Sequence, residues 1–187
     1  MAEWVKVYPN ALSDEYCDNV VAFFNEQNKG LLNTPWRRCY EYTAFDTSPF
    51  CEEFKRDIKK VYERYKLETG SGALAGVNAL ESPNVFQYNV DKTEPFHFHR
   101  HADNWNFATS TRQVSIIAYL NDVQEGGATD FSDLGVRVMP RKGCVLIFPS
   151  FYTYMHLGEP PISGSKYIIV SWIHYDGGLH AYRTSPL

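Results

Sequence analysis

Side chains that bind metal ions are concentrated between positions 97 and 103 of this sequence. His97, His99, His101 and Asp103 stand at every second position, and His156 follows further along the chain. Alternate residues of a β-strand point to the same face, so the first four would face one space. Two histidines and one carboxylate make up the facial triad that holds Fe(II) with open coordination positions. The pattern therefore predicts a metal site with room for further ligands.

His101 and Asp103 are the favoured pair within this stretch, because they supply the single carboxylate that the triad requires. His97 and His99 are then interpreted as side chains that line the pocket around the ligands. Composition alone also permits a histidine-rich zinc site in which His99 replaces Asp103. Both interpretations stay open at this point.

Composition bounds the class of protein. The chain has 187 residues, of which 44% are hydrophobic, 16% aromatic and 21% charged, and its net charge is −4. These values predict a single globular domain over residues 1–187. The high aromatic content predicts a large packed core, an aromatic-lined pocket, or both. The negative charge argues against nucleic acid as a partner, because nonspecific binding needs a basic surface.

Membrane and secretion signals are missing from the sequence. It has no apolar run of about 18 residues, and its first residues lack the basic and then apolar pattern of a signal peptide. We therefore expect no membrane contact and a cytoplasmic location. The four cysteines are scattered, without a Cys-x-x-Cys pair, so free buried thiols are expected.

The spacing of apolar residues predicts the elements that would carry the site. Residues 5–8 and 37–42 are expected to be strands, and residues 13–28 a helix with Ser13 as its N-cap. A second helix is expected to begin at Pro49 and to run to about Leu67. Eight short strands are then predicted at 84–90, 96–101, 113–120, 128–131, 135–138, 143–148, 154–156 and 166–174.

This pattern predicts a mainly β fold with flanking helices. Eight short strands without intervening helices indicate a double-stranded β-helix, or jelly roll. The two N-terminal helices are expected to pack on its major sheet. Residues 1–75 would then form a helical support, and residues 84–175 the jelly-roll core.

Several short motifs follow one another in the β-rich half. In chain order they are His101-Ala102-Asp103, the run from Arg112 through Ser115 to Tyr119-Leu120-Asn121, Gly126-Gly127-Ala128-Thr129-Asp130-Phe131, the segment from Pro140 to Phe148, and His156 with Lys166 ten residues later. Their order and spacing resemble the 2-oxoglutarate- and Fe(II)-dependent dioxygenases, and within them the prolyl 4-hydroxylase-like group. The resemblance covers about half of the chain.

The resemblance implies a cofactor set and a role for particular residues. His101, Asp103 and His156 would bind Fe(II), with 2-oxoglutarate (2OG) and O2 as cosubstrates and ascorbate as a reductant. Lys166 would bind the distal carboxylate of 2OG, and Tyr119 would donate its hydroxyl to the same group. Tyr88 and Trp172 are implied as walls of the cosubstrate pocket. The implied activity is hydroxylation of a prolyl residue in a protein or peptide.

Other functions stay open beside this one. The enzyme could hydroxylate another residue or a free small molecule, or the chain could be a metal-binding jelly roll without activity. Residues 104–111 are interpreted as a mobile loop over the substrate, with Trp105 and Phe107 as contacts. The identity of the substrate and the oligomeric state do not follow from the sequence.

Overall fold

The structure is a computed structural model that describes residues 2–176 and 184–187. The described part contains two α-helices, α1 (Asp14–Glu26) and α2 (Cys51–Thr69). Its strands are β1 (Lys6–Tyr8), β2 (Gly30–Asn33), β3 (Arg37–Tyr42), β4 (Val77–Glu81), β5 (Asn84–Tyr88), β6 (His97–His101), β7 (Arg112–Tyr119), β8 (Thr129–Phe131), β9 (Val136–Val138), β10 (Val145–Pro149), β11 (His156–Gly158), β12 (Lys166–Tyr175) and β13 (Thr184–Pro186). Short 3₁₀ helices lie at Ala2–Trp4, Phe45–Thr47, Ser71–Leu74, Ser132–Leu134 and Tyr152–Tyr154.

The strands pair antiparallel in one continuous, curled sheet. Its order is β1-β10-β7-β12-β5-β3-β6-β11-β8-β9, while β4 pairs with β12 and β13, and β2 pairs with β3. All eight strands predicted between residues 84 and 174 are present, with ends that differ from the prediction by at most two residues. The predicted mainly β jelly roll with two N-terminal helices is therefore confirmed.

Successive side chains of the central strands point to opposite faces of the sheet, so the core has two layers. On β12, Ile169 and Ile173 join the helices in one apolar cluster, whereas Ile168, Val170 and Trp172 join a second cluster inside the curl. Strands β7 and β10 divide their side chains in the same way. Because alternate residues share a face, Lys166 points the same way as Trp172. One face of the central sheet thus carries the helices, and the other encloses a chamber.

The N-termini of the two helices can be compared with those predicted from the sequence. Ser13 is the N-cap of α1, and its side chain accepts a hydrogen bond from the Tyr16 amide at 3.1 Å, as predicted. The prediction for α2 was wrong by two residues: it begins at Cys51, with Phe50 as an N-cap that makes no side-chain hydrogen bond. Pro49 lies in the turn before the helix instead of at its first position.

Three strands were missed, namely β2, β4 and β13. Strand β4 has the sequence Val-Asn-Ala-Leu-Glu, in which alanine, leucine and glutamate favour helix over strand. It is extended because it pairs with β12 on one side and β13 on the other, so tertiary pairing overrides local preference. All four cysteines are free and buried, as expected. No described helix is long and apolar enough to cross a membrane.

Candidate metal centre and cosubstrate pocket

His101, Asp103 and His156 lie together at one end of the chamber. One potential ligand atom from each lies within 4.8 Å of the other two. His101 Nε2 is 3.6 Å from Asp103 Oδ1, and His156 Nε2 is 3.9 Å from Asp103 Oδ2. The two histidines meet because β6 pairs with β11, with His101 directly opposite His156. A single ion could be held among the three.

Backbone carbonyls orient both imidazole rings. Nδ1 of His101 lies 2.7 Å from the carbonyl oxygen of His99, and Nδ1 of His156 lies 3.1 Å from that of Tyr154. A carbonyl can only accept, so each Nδ1 donates the hydrogen bond, and the Nε2 atom of each ring lies on the side of Asp103. Burial, with His101 nearby, lowers the pKa of His156 to about 4. His156 is therefore neutral at pH 7, as a metal ligand must be.

Asp103 is held as an ionised carboxylate. It is 7% exposed, and its Oδ2 accepts a hydrogen bond from the Ser115 hydroxyl at 2.6 Å. Ser115 shares a second hydrogen bond, of 2.8 Å, with Ser150. Burial by itself would raise the pKa of Asp103, but His101, His156 and Ser115 together lower it well below its usual range. Two histidines and one oriented carboxylate are the donors of a facial Fe(II) site.

His97 and His99 do not join this cluster. The ring of His97 packs on that of His99 at 4.1 Å, and His99 is an exposed residue that lines an outer groove. Strict alternation through Asp103 was wrong, because the β6–β11 register shifts between His156 and Gly158 and β6 ends at His101. The bulge brings Phe98, three residues before His101, onto the same side, where the two rings stack at 3.6 Å.

Lys166 lies in the same chamber as the three candidate ligands. It is 3% exposed, and its Nζ lies 5.6 Å from the centre of the Tyr88 ring and 5.7 Å from that of Tyr119. Lys166 makes no ion pair within the described part of the chain, and Glu159, whose charge acts on it, is paired with Arg137 at 2.6 Å. Burial lowers the pKa of Lys166 to about 7. A buried ammonium of this kind is stabilised by a bound anion.

The other predicted pocket residues lie around Lys166. Tyr88 and Trp172 line the chamber, whereas Tyr119 is fully buried behind it and shares a 2.8 Å hydrogen bond with Thr129, which does line it. The indole Nε1 of Trp172 is buried without a hydrogen-bond partner in the described residues. An orphaned donor and an unpaired ammonium in one chamber fit a bound dicarboxylate better than an apolar ligand.

A larger groove of about 720 Å³ adjoins the chamber, and Arg37, Phe98 and His101 line both. Trp36, Trp105 and Tyr152 line this groove and are 65%, 70% and 78% exposed. The expected contact at Trp105 is therefore available, but Phe107, which is 96% exposed, is not among the residues that line the groove. Exposed aromatic side chains around one opening are typical of a surface that binds another molecule.

Sequence reasoning missed two groups that matter to the chamber. Thr129 belongs to the Gly-Gly-x-Thr turn, and that motif could have assigned it to the pocket wall. Arg37 lines both the chamber and the groove, but nothing in the sequence separates it from its neighbour Arg38. Only the pairing of β3 with β6 brings Arg37 beside Phe98 and the site.

Fold and site together define a class: a double-stranded β-helix in which a His-Asp-His cluster that could hold a metal ion shares a chamber with a buried lysine. Residues 84–174 match the sequence profile of the 2OG-Fe(II) oxygenase superfamily. The prolyl 4-hydroxylase subunit alpha-1 of Gallus gallus is 33% identical over 113 residues, which are 54% of this chain and 22% of that protein. The chain thus spans about a fifth of the length of that relative.

Solved structures share the fold at low sequence identity. The viral collagen prolyl hydroxylase of Paramecium Bursaria Chlorella virus-1, in its 2OG complex, has a TM-score of 0.68 at 22% identity and covers 92% of this chain and 96% of its own. A prolyl hydroxylase from Trichoplax adhaerens, in complex with a hypoxia inducible factor oxygen degradation domain peptide fragment, has a TM-score of 0.70 at 15% identity and covers 93% and 84%.

These comparisons confirm the family predicted from the motifs. Over its β-rich half the chain is similar to the 2OG-Fe(II) oxygenase superfamily and, within it, to prolyl 4-hydroxylases. The cofactors of this family are Fe(II), 2OG and O2, and the cluster of His101, Asp103 and His156 fits the iron.

Proposed function

We propose that the chain is an Fe(II)- and 2OG-dependent hydroxylase that acts on a prolyl residue of a peptide or protein. The observation that carries this proposal is the buried, unpaired Lys166 in one chamber with His101, Asp103 and His156. A jelly roll that only binds a metal has no use for this cation. A dicarboxylate needs both features, because one end can reach the metal while the other pairs with the lysine.

Each residue has one task in this proposal. His101, Asp103 and His156 would hold the iron, and Lys166 would bind the distal carboxylate of 2OG. Tyr88, Trp172 and, through Thr129, Tyr119 would wall the cosubstrate and keep water from the lysine. When bound, iron and 2OG supply the oxidising chemistry, in which decarboxylation to succinate and CO2 is coupled to hydroxylation of the substrate.

The peptide substrate is the finer part of the proposal. It is supported by the aromatic groove at the mouth of the chamber and by the prolyl hydroxylases among the relatives. Hydroxylation of another residue or of a small molecule is the second candidate, because the cofactor site does not fix the substrate. The single domain, the use of ascorbate as a reductant and the cytoplasmic location stay predictions.

Formation of succinate from 2OG with iron present tests the activity, and mass spectrometry of proline-containing peptides tests the substrate by the gain of one oxygen atom. His101→Ala, Asp103→Ala and His156→Ala should each abolish turnover. Lys142→Ala is the matched control for Lys166→Ala, because Lys142 pairs with Asp18 on the surface. Metal binding without 2OG turnover under any condition would return the chain to the metal-binding interpretation.

A further inference from the structure

Arg37 stands at the boundary between the chamber and the outer groove and lines both. Its guanidinium carbon lies 3.8 Å from the centre of the Phe86 ring and 4.6 Å from that of Phe98, so two rings hold it in place. Its Nε donates a hydrogen bond to the Tyr88 hydroxyl at 3.2 Å. These contacts hold the guanidinium at the boundary of the two cavities.

Arg37 forms no ion pair with a carboxylate among the described residues, although the charge of Glu41 on the same strand acts on it. Other arginines of the chain differ in this respect: Arg38 pairs with Asp91 at 3.1 Å, Arg112 with Glu81 at 2.7 Å, and Arg137 with Glu159 at 2.6 Å. A guanidinium that aromatic rings shield from water gains most from an anion with two oxygens in its plane. The environment of Arg37 therefore favours the binding of a carboxylate.

The lining of the groove beyond Arg37 also suits an anionic ligand. Its lining combines aromatic side chains with basic ones and includes no aspartate or glutamate. Of the basic groups, Arg100 is already paired with Asp133, which leaves Arg37 as the arginine there without an acidic partner in the described chain. An acidic peptide complements this surface better than a basic or a neutral one.

Arg37 lines the cosubstrate chamber, and its charge acts on Lys166. In the proposed arrangement one carboxylate of 2OG would lie at the metal and the other at Lys166, so Arg37 is not the primary partner of either. The ring of Phe98 stacks on His101 at 3.6 Å and also contacts Arg37, so a single aromatic ring separates the guanidinium from a metal ligand. A group bound to Arg37 would therefore lie within about two residues of the reacting position, given about 3.3 Å per extended residue.

We propose that Arg37 determines substrate specificity by binding the side-chain carboxylate of an aspartate or glutamate within two residues of the hydroxylated position. This inference rests on the proposed function and deepens it, because it names an acidic peptide as the substrate class. A backbone carbonyl would satisfy an N–H group of Arg37 but would leave its charge without a partner.

The test uses a series of proline-centred peptides in which Glu or Gln stands at each flanking position in turn. Binding is measured by fluorescence anisotropy to the protein loaded with Fe(II) and 2OG without oxygen, and kcat/KM is measured with oxygen. Glu should be favoured over Gln about tenfold or more at one flanking position, as charge-assisted hydrogen bonds allow. Arg37→Gln should abolish this preference and Arg37→Lys should retain part of it.

Arg38→Gln is the matched control, because the adjacent Arg38 already pairs with Asp91 and should not alter the preference. Circular dichroism melting shows whether each variant is folded. The wild-type protein provides a test that needs no variant: equal affinity for Glu and Gln peptides at every position overturns the role of Arg37. If peptides are hydroxylated without a charge preference, only this inference fails, whereas loss of all 2OG turnover contradicts the proposed function itself.

Discussion

The affinity for 2OG should depend on pH through Lys166. Burial lowers the pKa of this lysine to about 7. It is then about nine-tenths charged at pH 6 and about one-tenth charged at pH 8, while both carboxylates of 2OG are ionised throughout. A neutral lysine must take up a proton before it can pair, so 2OG should bind about tenfold more weakly at pH 8 than at pH 6. That ratio corresponds to about 1.4 kcal/mol.

Two variants separate this effect from titration of the metal ligands. Lys166→Arg should bind 2OG with little dependence on pH in this range, because a guanidinium does not deprotonate. Lys166→Ala should weaken 2OG by about 30-fold to a few thousand-fold at pH 6, since truncation of one partner in a buried charge pair costs about 2–5 kcal/mol. Iron binding should survive in both variants, because the lysine is not a ligand.

The assay is an anaerobic titration of the iron-loaded protein with 2OG, followed by the metal-to-ligand charge-transfer band. Iron content must be equal at each pH, so that only the cosubstrate equilibrium is compared. The reasoning is refuted if the wild-type affinity is the same at pH 6 and pH 8, or if Lys166→Arg shows the wild-type pH dependence. Unchanged affinity in Lys166→Ala would show that the lysine has no part in binding.

Three further predictions concern the metal and the groove. His99→Ala should keep most iron and 2OG turnover, whereas His101→Ala should lose both by metal analysis and succinate assay; equal losses would contradict the ligand assignment. Trp105→Ala should weaken peptide substrates about tenfold or more with little change in 2OG affinity, because aromatic anchors carry much of the binding energy, and Phe107→Ala should change neither. Ser115→Ala should weaken iron about 10- to 100-fold through loss of the hydrogen bond that orients the carboxylate ligand, whereas Ser115→Thr should largely restore it; wild-type affinity in the alanine variant would refute this role.

The eight strands between residues 84 and 174 and several of the residues that meet in the chamber could be predicted from the sequence. Alternation within one strand is a local property with a period of two, and in the structure Lys166 and Trp172 lie on one face of β12 and line the same chamber. The spacing of His101, Asp103, His156 and Lys166 also sufficed to suggest a family, and the comparisons confirm that family. The residue roles within it stay predictions.

Predictions from local sequence pattern failed where the position of a strand depends on the strand with which it pairs. The alternation rule placed His97 and His99 with the ligands, but a register shift between β6 and β11 removed them. Strand β4 carries helix-favouring residues and was missed, although it brings Glu81 to Arg112 and His174 in a buried polar network. In both cases the position of the strand depends on pairing between segments that are distant in sequence. A short window of sequence cannot reveal that pairing.

Tertiary structure alone decided which charges are left without partners. Arg37 and Arg38 are adjacent and chemically identical, yet Arg38 faces Asp91 and Arg37 lies between Phe86 and Phe98. The difference arises because neighbouring residues on β3 point to opposite faces, and only the assembled sheet determines which face borders the chamber. The sequence could therefore name the chemistry of the metal centre, whereas the fold had to be known before the cation at its entrance could be identified.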